Sequence, residues 1–160
     1  MLEGRIHPEM GGKLGLILAK WHNAAANSSE IKEEFMEGAL FEQLRVAPFY
    51  RAVTAVNPQL TSVINALIAE ITEVKTTLVH GDFSPKNIMA TTENRPIVLD
   101  FEVAHTGNPV FDLAFLLAHL LCKVIRTEDN SEKELLLATA SQFLNTYEAN
   151  TNLPVAESLP

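Results

Sequence analysis

The 160-residue chain has a single cysteine, Cys122, so no disulfide can form within it. That excludes the stapled scaffolds of small secreted domains. Cys122 lies in an apolar run, where a packed thiol is expected and a reactive one is not. Positive charge is scarce too. Twelve Lys and Arg face twenty Asp and Glu, a formal net charge of -8. A general binder of nucleic acid or of an acidic membrane needs the opposite balance, so neither partner is expected. A small anion held by a local field stays compatible with that sum. No apolar run is long enough to span a bilayer comfortably. The longest, VFDLAFLLAHLLCKVI, carries Asp112, His119 and Lys123 and reads as a buried helix. The opening MLEGRIHPEM lacks the apolar core of a signal peptide, and the cytoplasm is the expected location.

What is present is the material of one globular domain. Hydrophobic residues make up 47% and charged ones 20%, enough for a real core at this length. Pro8 suits a first helical turn, and Leu14, Ile17, Leu18, Trp21 and His22 follow at helical spacing. Gly11, Gly12 and Gly15 weaken that helix but permit close packing. SSEIKEEFMEGALFEQLRV reads as a second helix, capped by Ser28 or Ser29 with acids in its first turn. Pro48 should end or bend a helix. Asn57 and Pro58 read as N-cap and N1 of a helix running to about Val74.

The β signal is concentrated in the middle. Leu78–Val79, Ile88–Ala90 and IVLDF read as three short strands, with TTENRP as a turn and AHTGNP as a loop. Helices follow from about Phe111 to Val124 and from about Ser131 to Asn150. The expected fold is mainly α (α+β), with helices around one small β-hairpin.

The first strand runs into HGDFSPKN, an unusual end for a core segment. Asp100 lies thirteen positions after Asn87, and the hairpin between them should return Asp100 to the side of Asn87. Asp82 and Glu102 then lie close by. Three carboxylates and an amide converging there would make a hard-oxygen set suited to Mg²⁺.

HGDFSPKN followed by VLDFE resembles the catalytic core of the aminoglycoside phosphotransferase and choline kinase group, a branch of the protein-kinase-like fold. GNPVFDLAFLLAHLL resembles that family's segment after the metal-binding Asp. The similarity is tight over about Leu78 to Leu121. It implies a protein-kinase-like C-terminal lobe in one domain, residues 1–160, that transfers the γ-phosphate of ATP to a hydroxyl of a small molecule. It implies Asp82 as catalytic base, Asn87 and Asp100 as ligands of Mg²⁺ against the nucleotide phosphates, and Glu102 as a second acid at the metal. His80 would brace the loop. Lys86 is a separate reading: four residues beyond Asp82, it can bring positive charge to the transferred phosphoryl group. Ser84 stands where many relatives carry a basic or histidine side chain.

Other residues have plainer expectations. Asp112, before an apolar helix, is read as an N-cap or a buried acceptor supporting the loop. His22 is assigned to the core; Phe41, Phe49 and Tyr50 could approach a substrate, and core packing is the reading preferred for them. The family's β-rich N-terminal lobe, with its Gly-rich lid and Lys–Glu pair, has no counterpart in the chain, where Gly11, Gly12 and Gly15 sit in a helical pattern. Two readings follow: a fragment of a small-molecule kinase, inactive by itself, or a lobe serving as a metal- or partner-binding module. A small Mg²⁺-dependent hydrolase has only the acids in its favour. A missing lobe should leave an apolar rim at the hairpin, and with it self-association or a partner. The net negative charge is compatible with a cationic acceptor.

Overall fold

The computed structural model describes residues 7–154. Helix α1 spans Pro8–Ala26, with Pro8 at its start, and α7 spans Asn130–Asn150. The two pack so closely that a β-carbon on Gly11 or Gly15 would land on the backbone of Thr139 or Phe143. Glycine is required there because the helix backbones meet directly. Helix α6, Val110–Arg126, lies against α7 and completes the larger core, with Leu14, Leu18, Leu113, Leu116, Leu136, Phe143 and Tyr147 buried. It is not buried all round: Leu121, Cys122 and Ile125 face outward, so the thiol expected in the core is exposed.

The second predicted helix is broken. Helix α2 covers only Ser29–Glu34, with the Ser28 hydroxyl accepting the Ile31 N–H as its cap. The chain restarts at α3, Ala39–Phe41, after Gly38, whose flexibility favours the break. It continues as a wide π-type turn over Glu42–Arg51 and closes with α4, Ala52–Val56. Pro48 lies inside the wide stretch. Its ring would collide with the carbonyl four residues back in a regular α-helix, and widening the turn relieves that clash. Asn57 makes no side-chain cap; Pro58–Leu60 is a single 3₁₀ turn, and α5 runs Thr61–Glu73.

Four three-residue strands form two antiparallel pairs. Strand β1, Thr77–Val79, pairs with β4, His105–Gly107, so that Leu78 faces Thr106. The segment predicted as a loop thus supplies a strand. Strands β2, Ile88–Ala90, and β3, Pro96–Val98, form the expected hairpin, with Met89 opposite Ile97. Strand β3 stops short of the predicted IVLDF, because Asp100 takes a left-handed conformation at φ 68° that no ladder accommodates. A smaller core of Phe41, Val46, Ile64, Ile68, Val79, Val103 and Phe111 fills the space beneath β1 and α5. The molecule is therefore mainly helical with two small sheets. Among the described residues, no single helix is long and apolar enough to cross a membrane.

Candidate active site

The loop His80–Asn87 leaves β1 and is held from three sides. Gly81 sits at φ +76°, and a β-carbon there would stand 2.7 Å from the Val103 carbonyl oxygen, so both conformation and space demand glycine. The fully buried carboxylate of Asp112 accepts the backbone N–H groups of His80, at 2.7 Å, and Gly81, at 2.9 Å. Asp112 lies in the first turn of α6 and is not its N-cap residue, which is Pro109. Phe83 is buried in the larger core and faces Phe143 with ring centroids 6.2 Å apart. This anchor fixes the residues on either side of it.

Behind Asp112 runs a buried relay. Its Oδ2 lies 3.3 Å from His22 Nε2, and His22 Nδ1 lies 2.8 Å from the Tyr147 hydroxyl. Burial, helped by the charge of Asp112, pushes the Tyr147 phenol up to about 12, although a Thr151 hydrogen bond opposes the rise. The phenol therefore keeps its proton, and the His22 ring bridges it to the Asp112 carboxylate. Helices α7, α1 and α6 are thereby tied to the loop. The His80 ring stands between the Asp82 N–H, which donates to Nδ1 at 3.2 Å, and the Leu99 carbonyl, which accepts from Nε2 at 3.0 Å. It links the loop to the returning strand.

Asp82 is only 3% exposed, and three groups meet its Oδ2. Asn87 Nδ2 donates at 2.8 Å, Lys86 Nζ stands at 2.8 Å and Arg45 Nη2 at 2.9 Å. All three contacts are made to the same oxygen. Arg45 comes from the wide turn containing Pro48, and its Nε also donates to the Gly81 carbonyl at 2.8 Å. A buried carboxylate is costly unless paired, and two cations with an amide supply the pairing here. The carboxylate stands in a cleft of about 550 Å³ lined by Arg45, Phe49, Tyr50, Lys86, Phe115 and His119, among others. Phe49 and Tyr50 border this cleft; Phe41 is core, Tyr50 is half-buried against the smaller core, and Phe49 is exposed.

The expected convergence of three carboxylates does not occur. Among the described residues, no three of His, Cys, Asp and Glu gather as a metal set. The reason is the orientation of Asp82, which is turned into Arg45, Lys86 and Asn87, while Asp100 and Glu102 are exposed. At the backbone, Asn87 and Asp100 are near neighbours: the Leu99 N–H donates to the Asn87 carbonyl at 2.9 Å. Asn87 directs its amide nitrogen at Asp82, so its amide oxygen faces away from that carboxylate. An amide oxygen and two exposed carboxylates are hard donors by their chemistry. They fit a divalent cation of the Mg²⁺ type, which takes one or two carboxylates and completes its shell with phosphate and water.

Arg45 carries no motif signal, because it lies 37 residues before Asp82 in a stretch without pattern. His22 is legible in the sequence as a core residue, but its bond to Asp112 is not.

With this geometry in view, the comparisons with known proteins are decisive. The family model of the phosphotransferase enzyme family matches residues 2–146. The chain belongs to that family. No curated protein matches it. Among solved structures, it is similar to the amicoumacin kinase hAmiN in complex with AMP-PNP, Ca²⁺ and Ami, with a TM-score of 0.67 at 20% identity. The match covers 96% of this chain and 47% of that kinase, so the chain spans about half of that protein's length. At this identity the likeness establishes the fold. In this phosphotransferase-family chain α1, α6 and α7 tie down the HGD loop through His22, Asp112 and Tyr147.

Proposed function

We propose that the chain is the catalytic half of an ATP-dependent kinase that phosphorylates a hydroxyl of a small molecule, in the cytoplasm, where ATP is supplied. The observation carrying this reading is the state of Asp82. It is buried, fastened through Oδ2, and borders a cleft of substrate size. Oδ1 accepts the hydrogen bond of the acceptor hydroxyl and takes its proton as the hydroxyl oxygen bonds to the γ-phosphorus and the bond from that phosphorus to the ADP oxygen breaks. Little more is needed, since phosphoryl transfer depends mostly on positioning and charge neutralisation. Arg45 and Asn87 hold the carboxylate in place. Lys86, with its side chain 64% exposed, is free to swing from Asp82 to the transferred group. Asn87, Asp100 and Glu102 would hold Mg²⁺, whose role is to bind and neutralise the nucleotide phosphates. His80 and Asp112 are positioning residues that keep the loop in register.

The test uses the whole protein, including whatever completes the other half of the kinase. Asp82→Asn should lower kcat by roughly 10²–10⁴-fold with little change in the KM for ATP. If a folded Asp82→Asn protein, checked by circular dichroism, kept more than a tenth of the parental kcat, Asp82 would not be the base.

A further inference from the structure

The cleft at Asp82 has a chemical character that narrows the acceptor, and this inference rests on the kinase reading above. Its charge is opposite in sign to that of the chain. Among the described residues that line it, Asp82 is the single acid, against Arg45 and Lys86, so these carry one net positive charge. A protein with a net charge of -8 has thus kept its acids out of this cleft.

Much of the rest of the lining is aromatic. Phe49 meets Phe115 edge to face, with centroids 6.3 Å apart, and the His119 ring lies 4.9 Å from Phe115. Phe49 is 56% exposed, an unusual amount of aromatic surface to leave in water beside a buried carboxylate. Such a wall can receive a flat apolar group or, through its π faces, a quaternary ammonium. Arg45 decides between them. Its guanidinium carbon lies 5.7 Å from the Phe115 ring centroid, so the chain's own cation already uses the aromatic face that a cationic ligand would seek. His119 Nδ1 donates to the Phe115 carbonyl at 2.8 Å, which leaves Nε2 to accept from a hydroxyl or amide.

We propose that the acceptor is an alcohol bearing an aromatic or comparably flat apolar group and no positive charge, neutral or anionic, seated against Phe49 and Phe115. Polycationic amino sugars and quaternary ammonium alcohols are disfavoured by the same cleft.

Cys122, the sole thiol of the chain, borders the cleft and is exposed, which gives a readout independent of turnover. The rate at which neutral iodoacetamide alkylates it is measured with 3-phenyllactate, 2-phenylethanol, choline and kanamycin as probes. The aromatic alcohols should slow alkylation several-fold and saturably. Choline and kanamycin should leave it within a factor of two. Phe49→Ala, at a half-exposed position, should keep the fold and weaken the aromatic protection at least five-fold in half-saturating concentration. Equal or better protection by choline or kanamycin would overturn the proposal, and so would no protection by either aromatic alcohol at millimolar concentration. Calorimetric titration of the same four probes must give the same ranking. If Asp82→Asn abolishes transfer in the whole protein but the aromatic probes do not bind, the acceptor assignment fails and the kinase reading stands. If the aromatic probes protect Cys122 but Asp82→Asn leaves transfer unimpaired, the cleft's preference stands and the catalytic role of Asp82 fails.

Discussion

Arg45 is the residue on which the geometry of Asp82 depends most. It bridges the Gly81 carbonyl and the Asp82 carboxylate from a separate helical segment. Arg45→Met should therefore cost about 1–3 kcal/mol in urea denaturation, the penalty for leaving buried acceptors short of a donor. Lys86 remains to limit the loss. A shift below about 0.5 kcal/mol, the usual range of a neutral surface change, would mean that the pair is ornamental. His105 is a second residue with a measurable signature. Burial, where it stacks on Phe41 with centroids 4.1 Å apart, lowers its pKa below the ordinary 6.5, while donation to the Val103 carbonyl partly opposes this. The unfolded chain then binds a proton near pH 6.5 that the folded chain refuses. The contribution is complete above that value and is lost as pH falls toward the folded pKa. Tm should decline between pH 7.5 and 5.5, and His105→Gln should decline less steeply. Parallel curves for the two proteins would refute the assignment.

Among the elements, the contact of α1 with α7 gives the sharpest test, because local preference and packing disagree in sign there. In an isolated helix, Gly→Ala is favourable by about 1 kcal/mol. At Gly11 the new methyl would strike the Thr139 carbonyl, and separating the helices should cost about 1–3 kcal/mol. Gly12, one residue on, faces only the side-chain ends of Thr146 and Gln142. Gly12→Ala should be neutral or stabilising and Gly11→Ala destabilising, as read from thermal melts. Equal responses would show that the helices are free to move apart. Pro48 teaches a related lesson. The proline signal predicted an interruption, and the chain instead widened its turn and kept going, carrying Arg45, Phe49 and Tyr50 to the cleft.

For the whole molecule, the outer face of the hairpin is the notable surface. Met89, Ile97, Leu99 and Phe101 are each between 39% and 54% exposed. Apolar side chains grouped in this way mark a contact surface. The isolated chain should self-associate in light scattering at high concentration. The double change Met89→Lys with Ile97→Glu, at facing ladder positions, should return it to monomer. A clean monomer of the parental chain would contradict this. The same surface is where a second lobe would seat in the kinase reading, so the isolated chain is expected to bind Mg·ATP weakly. Micromolar affinity by calorimetry would overturn that expectation.

The sequence by itself determined the periodic elements and the order of the chemistry-bearing residues. Leu14, Leu18 and His22 recur at the helical period, TTENRP marks a turn, and HGDFSPKN with VLDFE points to a phosphotransferase. Such features are local: burial repeats along an element, and a glycine or proline acts where it stands. Tertiary structure alone decided that β4 would pair with β1 and that Asp112 would receive His22. It alone turned Asp82 toward Arg45 and away from Asp100 and Glu102. Each of those outcomes joins residues far apart in the chain. A carboxylate's direction is set by whichever donors packing delivers to it, and spacing along the chain carries no record of that choice.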